Sequence, residues 1–174
     1  MSFIKLIKMD LEMTVKSQKI HDFLKVIFLS HTFHLVLCIR IGQAFRKIPL
    51  IGGFLGLIIE YFIRIFFSSD ISCKSKISGG LVIVHGHDIV IGGEVVINEN
   101  CKIFNGVTLG NKDTESLITQ QPIVGKNVVL GTGCKVLGNI KIGDHVKVGA
   151  NSVVITDIPD NSIAVGVPAK VISR

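Results

Sequence analysis

The sequence predicts a mainly β protein in which a solenoid of short strands follows an α-helical region. Three observations predict this fold class. Aliphatic residues recur at every sixth position from residue 77 onwards, glycine often follows them, and apolar residues run at helical spacing from about residue 18 to residue 67.

The aliphatic period of six forms two series. The first series consists of Ile77, Ile83, Ile91, Ile97, Ile103, Leu109, Val124, Leu130, Val136, Ile142, Val148 and Val154. The second lies two residues earlier and consists of Leu81, Ile89, Val95, Cys101, Val107, Val128, Cys134, Ile140 and Val146. A period of six fits neither an α-helix nor a simple amphipathic strand, and it is the signature of a hexapeptide β-helix. Three units make one coil, so the first series predicts about four coils.

Glycine directly follows several positions of the first series. These glycines are Gly92, Gly110, Gly125, Gly131, Gly143 and Gly149. Because glycine lacks a Cβ atom, it adopts backbone conformations that other residues avoid. We therefore expect these glycines to permit the turn of the backbone at the corners between strands.

The repeat is interrupted twice. Two extra residues lie between Ile83 and Ile91, within the segment HGHD, and nine extra residues lie between Leu109 and Val124. A solenoid tolerates insertions where they leave the wall as loops, and such loops commonly build the binding face. The pattern divides the chain into an N-terminal helical region, residues 1–69, and a β-helical domain, residues 70–174, with a protruding loop over residues 110–122.

Composition and charge restrict the class of protein. The chain is 48% hydrophobic and 18% charged, which excludes a disordered protein. Its formal net charge of +6 is concentrated in residues 1–50, which hold eight Lys and Arg against three acids. We expect this excess to suit an anionic partner such as a membrane surface. We expect no nucleic acid partner, because aromatic residues do not alternate with the basic ones and no known module is present.

The cysteines and the N-terminus predict the compartment. None of Cys38, Cys73, Cys101 and Cys134 shows CxxC spacing, and the N-terminus lacks the cleavage pattern of a signal peptide. We therefore expect reduced thiols in a cytoplasmic protein. The segment IPLIGGFLGLIIEYFIRIFF, residues 48–67, is nearly long enough to span a bilayer, but Glu60 and Arg64 interrupt it. This pattern favours an amphipathic or buried helix, lying against the domain or a membrane surface, over a span.

Several motifs resemble one family of enzymes. The segment TFHLVLCIRIGQAF (32–45) and the rungs VTLGN, KVLGNIKIGDHVKVGANSVV and IAVGVPAK resemble the serine O-acetyltransferase family of hexapeptide-repeat acyltransferases. The match covers roughly residues 29–174, and the breaks in the repeat fall where the family places them. The resemblance implies a left-handed parallel β-helix and a homotrimer, with or without pairing of trimers. It also implies acetyl-CoA as co-substrate, bound between subunits, and no metal.

The resemblance also implies a catalytic pair. The family has an aspartate in a D-I dipeptide and a histidine fifteen residues later, and the segment DISCKSKISGGLVIVH places Asp70 and His85 at this spacing. By resemblance, His85 is the general base and Asp70 orients it. Acetyl transfer to an alcohol requires removal of the hydroxyl proton, which an imidazole accepts at neutral pH. A carboxylate on the other ring nitrogen fixes the tautomer and stabilises the imidazolium.

The neighbouring residues His87 and Asp88 allow several interpretations. A His-x-His-Asp zinc site is conceivable, but the sequence shows no further well-placed ligand. His87 either lines the acceptor pocket or caps the two-residue bulge.

Contacts to acetyl-CoA are carried over from the family position by position. The positions that match the family's pantetheine contacts are Gly110, Asn111, Thr132 and Ala150. Lys147 matches a lysine near the nucleotide phosphates, and Lys170 is a second candidate, since a cation beside phosphate is favourable.

The chain departs from the family at the acceptor contacts. The family loop carries D-R-H-P, whose arginine and histidine contact the amino-acid acceptor, and here the segment reads Thr119-Gln120-Gln121-Pro122. Glutamine cannot replace the charged, bidentate fork of arginine. Val84 stands where the serine enzymes have an aspartate that holds the substrate amine, and the N-terminal acceptor aspartate has no obvious counterpart.

These departures predict a neutral acceptor. Gln120, Gln121 and His87 suit a polyol better than L-serine, and a subgroup of bacterial surface-polysaccharide enzymes shares a GVTIGN-like rung and a short N-terminal region. We therefore expect O-acetylation of a sugar hydroxyl in a bacterial surface polysaccharide, at the inner face of the membrane. The alternatives are a serine O-acetyltransferase of cysteine biosynthesis and an inactive β-helical scaffold protein.

Overall fold

The computed structural model describes residues 1–15, 19–113, 115 and 120–172. The helices are α1 (Phe3–Thr14), α2 (Ile20–Leu29), α3 (His31–Phe45) and α4 (Gly52–Phe67). The strands are β1 (Asp70–Ile71), β2 (Lys76–Ile77), β3 (Val82–Val84), β4 (Val90–Ile91), β5 (Val96–Ile97), β6 (Lys102–Phe104), β7 (Thr108–Gly110), β8 (Ile123–Val124), β9 (Val129–Leu130), β10 (Lys135–Leu137), β11 (Lys141–Ile142), β12 (Lys147–Val148), β13 (Val153–Val154), β14 (Ile163–Gly166) and β15 (Ala169–Ile172).

The strands form three parallel sheets that together make a solenoid. Sheet A has the order β1-β4-β7-β10-β13, sheet B the order β2-β5-β8-β11, and sheet C the order β3-β6-β9-β12-β14, with β15 antiparallel to β14. Each sheet receives every third strand, so β1 to β12 complete four coils. The structure confirms the predicted β-helix of about four coils behind an N-terminal helical region.

Both aliphatic series point into the solenoid. All members of the first series are buried, and so are those of the second, except that Ile140 is partly buried. Equivalent positions pair in register between coils, for example Ile91 with Leu109 and Ile103 with Leu130. Each fully buried branched side chain contributes about 1.5–3 kcal/mol to the free energy of unfolding, so this stack is the core of the domain.

The glycines that follow the first series have a different role from the one predicted. None of the six has a positive φ. They permit the close stacking of coils instead: a Cβ on Gly131 would lie 2.8 Å from the nitrogen of Ala150, and a Cβ on Gly125 would lie 2.7 Å from the carbonyl carbon of Gly143. A side chain at either position would therefore push two coils apart.

Left-handed backbone conformations recur instead at residues other than these six glycines, in two columns along the solenoid. One column runs along the corner between sheets C and A and consists of Asp88, Gly106, Gly133 and Asn151. The other runs along the corner between sheets B and C and consists of Gly80, Asn100, Asn127, His145 and Asn161. Asn and Asp adopt this region at the lowest cost among non-glycine residues, which explains their use in these columns.

Both interruptions of the repeat fall between strands, at corners of the solenoid; residues 114 and 116–119 of the second lie outside the described residues. The connection from β3 to β4 covers residues 85–89, whereas the equivalent connection one coil later covers residues 105–107. The connection from β7 to β8 covers residues 111–122, whereas the equivalent connection one coil earlier covers residues 92–95. The predicted positions of both breaks are correct.

The helical region begins earlier than the apolar spacing predicted, because α1 precedes residue 18. Buried side chains of α3 and α4 cover the first coil: Leu35, Val36, Ile39, Ile63 and Phe67. Helix α1 adds the fully buried Asp10. The most deeply buried residue of α1 is a carboxylate, so this helix supplies hydrogen bonds as well as apolar contacts to the cover.

A buried ion pair joins α1, α3 and the first coil. The Nε and Nη2 of Arg40 donate to the two carboxylate oxygens of Asp10 at 2.8 and 3.0 Å, and both side chains are fully buried. Arg40 also donates to the carbonyls of Ile77 and Ser78, each at 2.6 Å, and Asp10 accepts from the N–H of Leu81 at 2.8 Å. The pair therefore satisfies backbone groups of the first coil that have no preceding coil to bind.

Two further polar side chains complete this cover. Glu60 of α4 accepts from the N–H of Cys73 at 2.7 Å, and Gln43 of α3 donates to the carbonyl of Ser75 at 2.9 Å. Glu60 also accepts from Arg46 at 3.3 Å. The helices thus cover the open edge of the solenoid with apolar side chains at its centre and hydrogen-bonding groups at its rim.

The segment of residues 48–67 contains α4, which lies against the first coil. Its inward residues Gly56, Ile63 and Phe67 are buried. Its outward face is exposed and apolar, and consists of Phe54, Leu57, Ile58, Tyr61, Phe62, Ile65 and Phe66. Among the described helices, none alone has the length and hydropathy to cross a membrane; α2 and α3 meet those criteria only as a pair bent by 71°.

We expect Asp10→Ala to destabilise the fold strongly. The change leaves the Arg40 guanidinium buried without its counter-ion and removes the acceptor of the Leu81 N–H, a loss of about 3–5 kcal/mol. Thermal unfolding followed by circular dichroism should show a midpoint lower by about 10 °C or more. Glu12→Ala, on the same helix, removes an exposed pair with Lys8 and should change the midpoint by no more than about 1 °C. Equal midpoints for the two variants would contradict the role of the buried pair.

The cysteines should be poorly reactive in the folded protein. Burial raises the pKa of Cys73 and Cys134 to about 12 and that of Cys101 to about 11, and it raises the pKa of the half-buried Cys38 as well. At pH 8, iodoacetamide should alkylate the native chain slowly, with Cys38 first, and all four cysteines rapidly in guanidinium chloride.

The same raised pKa values predict a pH dependence of stability. Unfolded thiols ionise near pH 9.0 while the buried ones stay protonated, so stability is retained below pH 9 and falls as pH rises towards 12. Denaturant midpoints between pH 8 and 11 measure this effect. Rapid native alkylation of all four thiols, or a flat pH profile, would be inconsistent with it.

Candidate functional site

The predicted base lies on the two-residue bulge at the corner between sheets C and A. His85 follows β3, is exposed, and adopts a positive φ of 58°. Two hydrogen bonds from backbone N–H groups fix the bulge. The N–H of Asp88 donates to the carbonyl of Ser68 at 2.8 Å, and the N–H of Ile89 donates to the Ser69 hydroxyl at 3.2 Å. These bonds place the segment 85–88 beside the residues that lead into β1.

The predicted partner Asp70 is the first residue of β1, at the same corner. Its Oδ1 accepts a hydrogen bond from Nη2 of Arg64 at 2.7 Å, and the two side chains are 57% and 58% exposed. This bond and the charge of Asp70 raise the pKa of the Arg64 guanidinium. Within the described part of the chain, no hydrogen bond joins Asp70 to His85. The structure therefore brings the predicted pair to one corner but bonds Asp70 to Arg64.

The backbone of His87 closes the bulge. Its N–H donates to the carbonyl of His85 at 2.9 Å, and its carbonyl accepts from the N–H of Gly106 in the next coil at 3.2 Å. Its side chain is exposed. Its backbone thus holds the bulge to the next coil, and its exposed side chain is compatible with either interpretation of His87. Across residues 1–15, 19–113, 115 and 120–172, no group of three His, Cys, Asp or Glu side chains is arranged to hold a metal.

The predicted acetyl-CoA contacts divide between two corners. Thr132 and Ala150 are exposed at the same corner as His85, on later coils. Gly110 and Asn111 lie at the corner between sheets A and B, at the far end of β7. A sheet A strand of three residues spans about 10 Å, so the two groups lie on opposite edges of one face of the solenoid.

The two lysines predicted near the nucleotide lie on sheet C. Lys147 is exposed on β12, and Lys170 is exposed on β15, where it pairs with Val165. Gly110 has nothing within 4 Å of where a Cβ would lie, so its backbone is open to a ligand. Exposed cations and an open backbone suit a ligand that carries phosphates and an amide-containing arm.

One of the two glutamines predicted to contact the acceptor has its side chain engaged elsewhere. The side-chain oxygen of Gln121 accepts from the N–H of Glu94 at 2.8 Å, so this side chain lies against the preceding coil. The N–H of Gln120 donates to the side-chain oxygen of Asn111 at 3.2 Å. Thr119, named with them, lies outside the described residues. Both glutamines therefore belong to the corner between sheets A and B, away from His85.

Three further polar residues at this corner were not assigned to the site from the sequence. Arg64 contacts Asp70, Asn105 accepts from the Thr132 hydroxyl at 3.3 Å, and Lys135 donates to the Gly106 carbonyl at 2.7 Å. Only the position of Arg64, six residues before Asp70, was a usable signal. The other two become neighbours through the stacking of coils.

The larger cavity lies away from this corner. It measures about 540 Å³, and its lining includes Met1, Phe3, Arg46 and Lys74, between α1, α3 and the first coil. None of its lining residues is one of the predicted site residues.

Comparison with known families agrees with this architecture. Residues 121–156 match the family model described as bacterial transferase hexapeptide (six repeats). A serine acetyltransferase of Bacillus pumilus is 36% identical over 98% of this chain and 77% of its own length, and one of Helicobacter pylori is 38% identical over 86% of both chains. A serine acetyltransferase of Buchnera aphidicola is 42% identical over 62% of this chain, and the match spans 41% of that protein.

Solved structures give the same family. A serine acetyltransferase in complex with CoA has a TM-score of 0.86 and 31% identity, and soybean serine acetyltransferase complexed with serine has a TM-score of 0.89 and 29% identity. In each case the match covers 98% of this chain and 70% of the solved chain. The agreement includes the helical region as well as the solenoid. This protein therefore belongs to the serine acetyltransferase family of hexapeptide-repeat acyltransferases.

Proposed function

We propose that this protein transfers the acetyl group of acetyl-CoA to the hydroxyl of L-serine, with His85 as general base. The observation that carries this proposal is the match to serine acetyltransferases over nearly the whole chain. The match includes the helical region as well as the solenoid.

This proposal replaces the predicted sugar acceptor of a bacterial surface polysaccharide. That prediction depended in part on Gln120 and Gln121 as acceptor contacts, and the side chain of Gln121 is bound to the Glu94 backbone. The loop of this chain does lack the arginine of the family. With the Gln121 side chain bound to the backbone, this loss no longer implies that two glutamine amides face a polyol acceptor. The similarity to serine acetyltransferases therefore carries more weight for the acceptor.

The chemistry requires one base and no enzyme nucleophile. The serine hydroxyl attacks the thioester carbonyl that acetyl-CoA supplies when bound, and His85 removes the hydroxyl proton as the new C–O bond forms. Collapse of the tetrahedral intermediate breaks the C–S bond, and the imidazolium returns the proton to the CoA thiolate. Asp70 retains Oδ2 for the other ring nitrogen of His85, since Arg64 occupies Oδ1.

We propose a homotrimer as the active form. Thr132 and Ala150 lie on one edge of sheet A, and Gly110 and Asn111 lie on the other, so one chain cannot surround a single CoA arm with both groups. A neighbouring chain that brings its second edge against the first would complete the cleft, consistent with the absence of a predicted site residue from the larger cavity.

The purified protein should release CoA rapidly from acetyl-CoA and L-serine, measured with a thiol reagent. His85→Ala should lower kcat by about 10²-fold or more, because the base is removed. Asp70→Asn should lower kcat less, because it spoils orientation and charge but leaves the base.

The sedimentation coefficient of each variant should equal that of the wild type, which separates loss of chemistry from loss of assembly. If the protein acetylates candidate sugars but not L-serine, its acceptor is a sugar of the surface-polysaccharide class. Absence of CoA release with every acceptor would indicate a scaffold protein, and a fully active His85→Ala would exclude His85 as the base.

We also propose a peripheral contact between a cytoplasmic protein and an anionic membrane through the apolar face of α4. This contact is supported by the seven exposed apolar side chains of α4, by Leu50 at 104% exposure in the preceding turn, and by the exposed Lys47 beside it. The protein should co-sediment with vesicles that contain anionic phospholipid, and high salt should reduce binding. Phe54→Asp should weaken it, and a protein that stays in the supernatant at low salt would oppose the proposal.

A further inference from the structure

The structure leaves the charged groups of an amino-acid acceptor without their expected contacts. The loop segment that carries a cation in the family reads Thr119-Gln120-Gln121-Pro122 here, and Gln121 is bound to the Glu94 backbone. Val84, before the base, is apolar. L-serine carries a carboxylate and an ammonium, so a serine enzyme needs a cation and an anion near the base.

The cation nearest the catalytic pair is Arg64. It lies in the last turn of α4 and reaches Asp70 with one nitrogen, at 2.7 Å. A guanidinium has five N–H donors in a planar fork, and Asp70 is the one hydrogen-bond partner of Arg64 among the described residues. Its side chain is 58% exposed. One edge of the fork therefore holds Asp70 while another faces solvent, where it can bind a carboxylate bidentately.

A second anion, besides Asp70, lies on the bulge of His85 and is Asp88. It lies three residues after His85 on the same bulge, is exposed, and adopts a left-handed conformation in the column that has glycine at positions 106 and 133. A Cβ on Gly106 would lie 3.5 Å from Oδ2 of Asp88, so the carboxylate sits above the next coil at this corner. Within residues 1–15, 19–113, 115 and 120–172, its carboxylate has no hydrogen-bond or ion-pair partner. No contact among these residues therefore accounts for a negative charge at position 88.

We propose that Arg64 binds the carboxylate of L-serine and Asp88 binds its ammonium, so that together they replace the missing loop contacts. This inference rests on the proposed function. The two residues approach the bulge from different elements: Arg64 comes from α4, and Asp88 is fixed to Ser68, directly after α4, by its backbone bond of 2.8 Å. An acceptor held between opposite charges beside His85 presents its hydroxyl to the base in a defined orientation.

Lys135, the other cation of this corner, is less suitable. Along sheet A, Asp70 pairs with Val90, Val90 with Thr108, and Thr108 with Lys135, so three strand spacings, about 14 Å, separate Lys135 from Asp70. Its ammonium already donates to the Gly106 carbonyl and the Thr108 hydroxyl, at 2.7 and 3.0 Å. Lys135 therefore belongs to the part of the corner that lies beside Thr132.

Paired acceptors test each charge separately. We would measure kcat and KM of the wild type, Arg64→Gln and Asp88→Asn with L-serine, with L-serinamide, which lacks the carboxylate, and with 3-hydroxypropanoate, which lacks the amine. An analogue that reacts too slowly is measured by its Ki against L-serine. Arg64→Lys tests for partial rescue, and Lys76→Gln removes an exposed charge on sheet B as the matched control.

Arg64→Gln should raise KM for L-serine by about 10- to 100-fold, the effect of a hydrogen bond between charged groups, with kcat within about threefold. It should leave L-serinamide within about threefold of the wild type, and Arg64→Lys should recover part of the loss. Asp88→Asn should raise KM for L-serine by about tenfold and leave 3-hydroxypropanoate unchanged. Lys76→Gln should behave as the wild type with all three compounds.

Other outcomes overturn the inference in distinguishable ways. If the wild type acetylates L-serine but each variant loses the same factor on all three compounds, Arg64 and Asp88 act through Asp70 and His85 and do not bind the acceptor. An unchanged KM for L-serine in either variant removes that residue from the acceptor site. A wild type without L-serine turnover overturns the proposed function, and the inference with it.

Discussion

The open edge of the first coil is the constraint on which the architecture depends. In a parallel solenoid each coil binds the backbone of the next, so the first coil presents carbonyls and N–H groups that have no preceding strand. Arg40 and Asp10 bind those groups at Ile77, Ser78 and Leu81, and the apolar residues of α3 and α4 fill the centre. Without this cover, the end of the solenoid would be both an unsatisfied edge and a template for pairing with another chain.

The same cover determines where the site can form. Helix α4 ends directly before β1, so its last turn brings Arg64 to Asp70 and its C-cap Ser68 to the bulge that carries His85. The corner that carries His85 and Asp70 is therefore built from the junction of the helical region and the solenoid. A hexapeptide solenoid alone would supply the wall but not the cation beside the aspartate.

The repeat gives the rest of the site its form. Because every coil returns to the same corner, residues far apart in sequence become vertical neighbours, as Asn105 and Thr132 do. Left-handed backbone recurs at two corners, and the wall of sheet A is a two- or three-residue strand in each coil. The exposed residues of this wall therefore form a narrow, repeating surface along the solenoid.

Particular residues show how far the sequence alone could be interpreted. The period of six, both interruptions and the inward series were predicted correctly, because burial repeats locally along the chain. The role of the glycines was predicted wrongly: Gly125 and Gly131 are needed for the spacing between coils, which depends on residues about eighteen positions away. The burial of Asp10 in α1 could not be predicted from apolar spacing, because a carboxylate is stable there only opposite Arg40, which lies on another helix.

The sequence by itself determined the solenoid, its coil count and the spacing of Asp70 and His85, since each follows from a local period or a motif. Only the tertiary structure decided which groups stand around that pair. In the folded chain the side chain of Gln121 binds the Glu94 backbone, and Arg64 donates a hydrogen bond to Asp70. Asp88 lies on the same bulge as His85, and its carboxylate has no partner among the described residues. These contacts depend on where α4 ends and on how the coils stack, and no periodicity in the sequence contains that information.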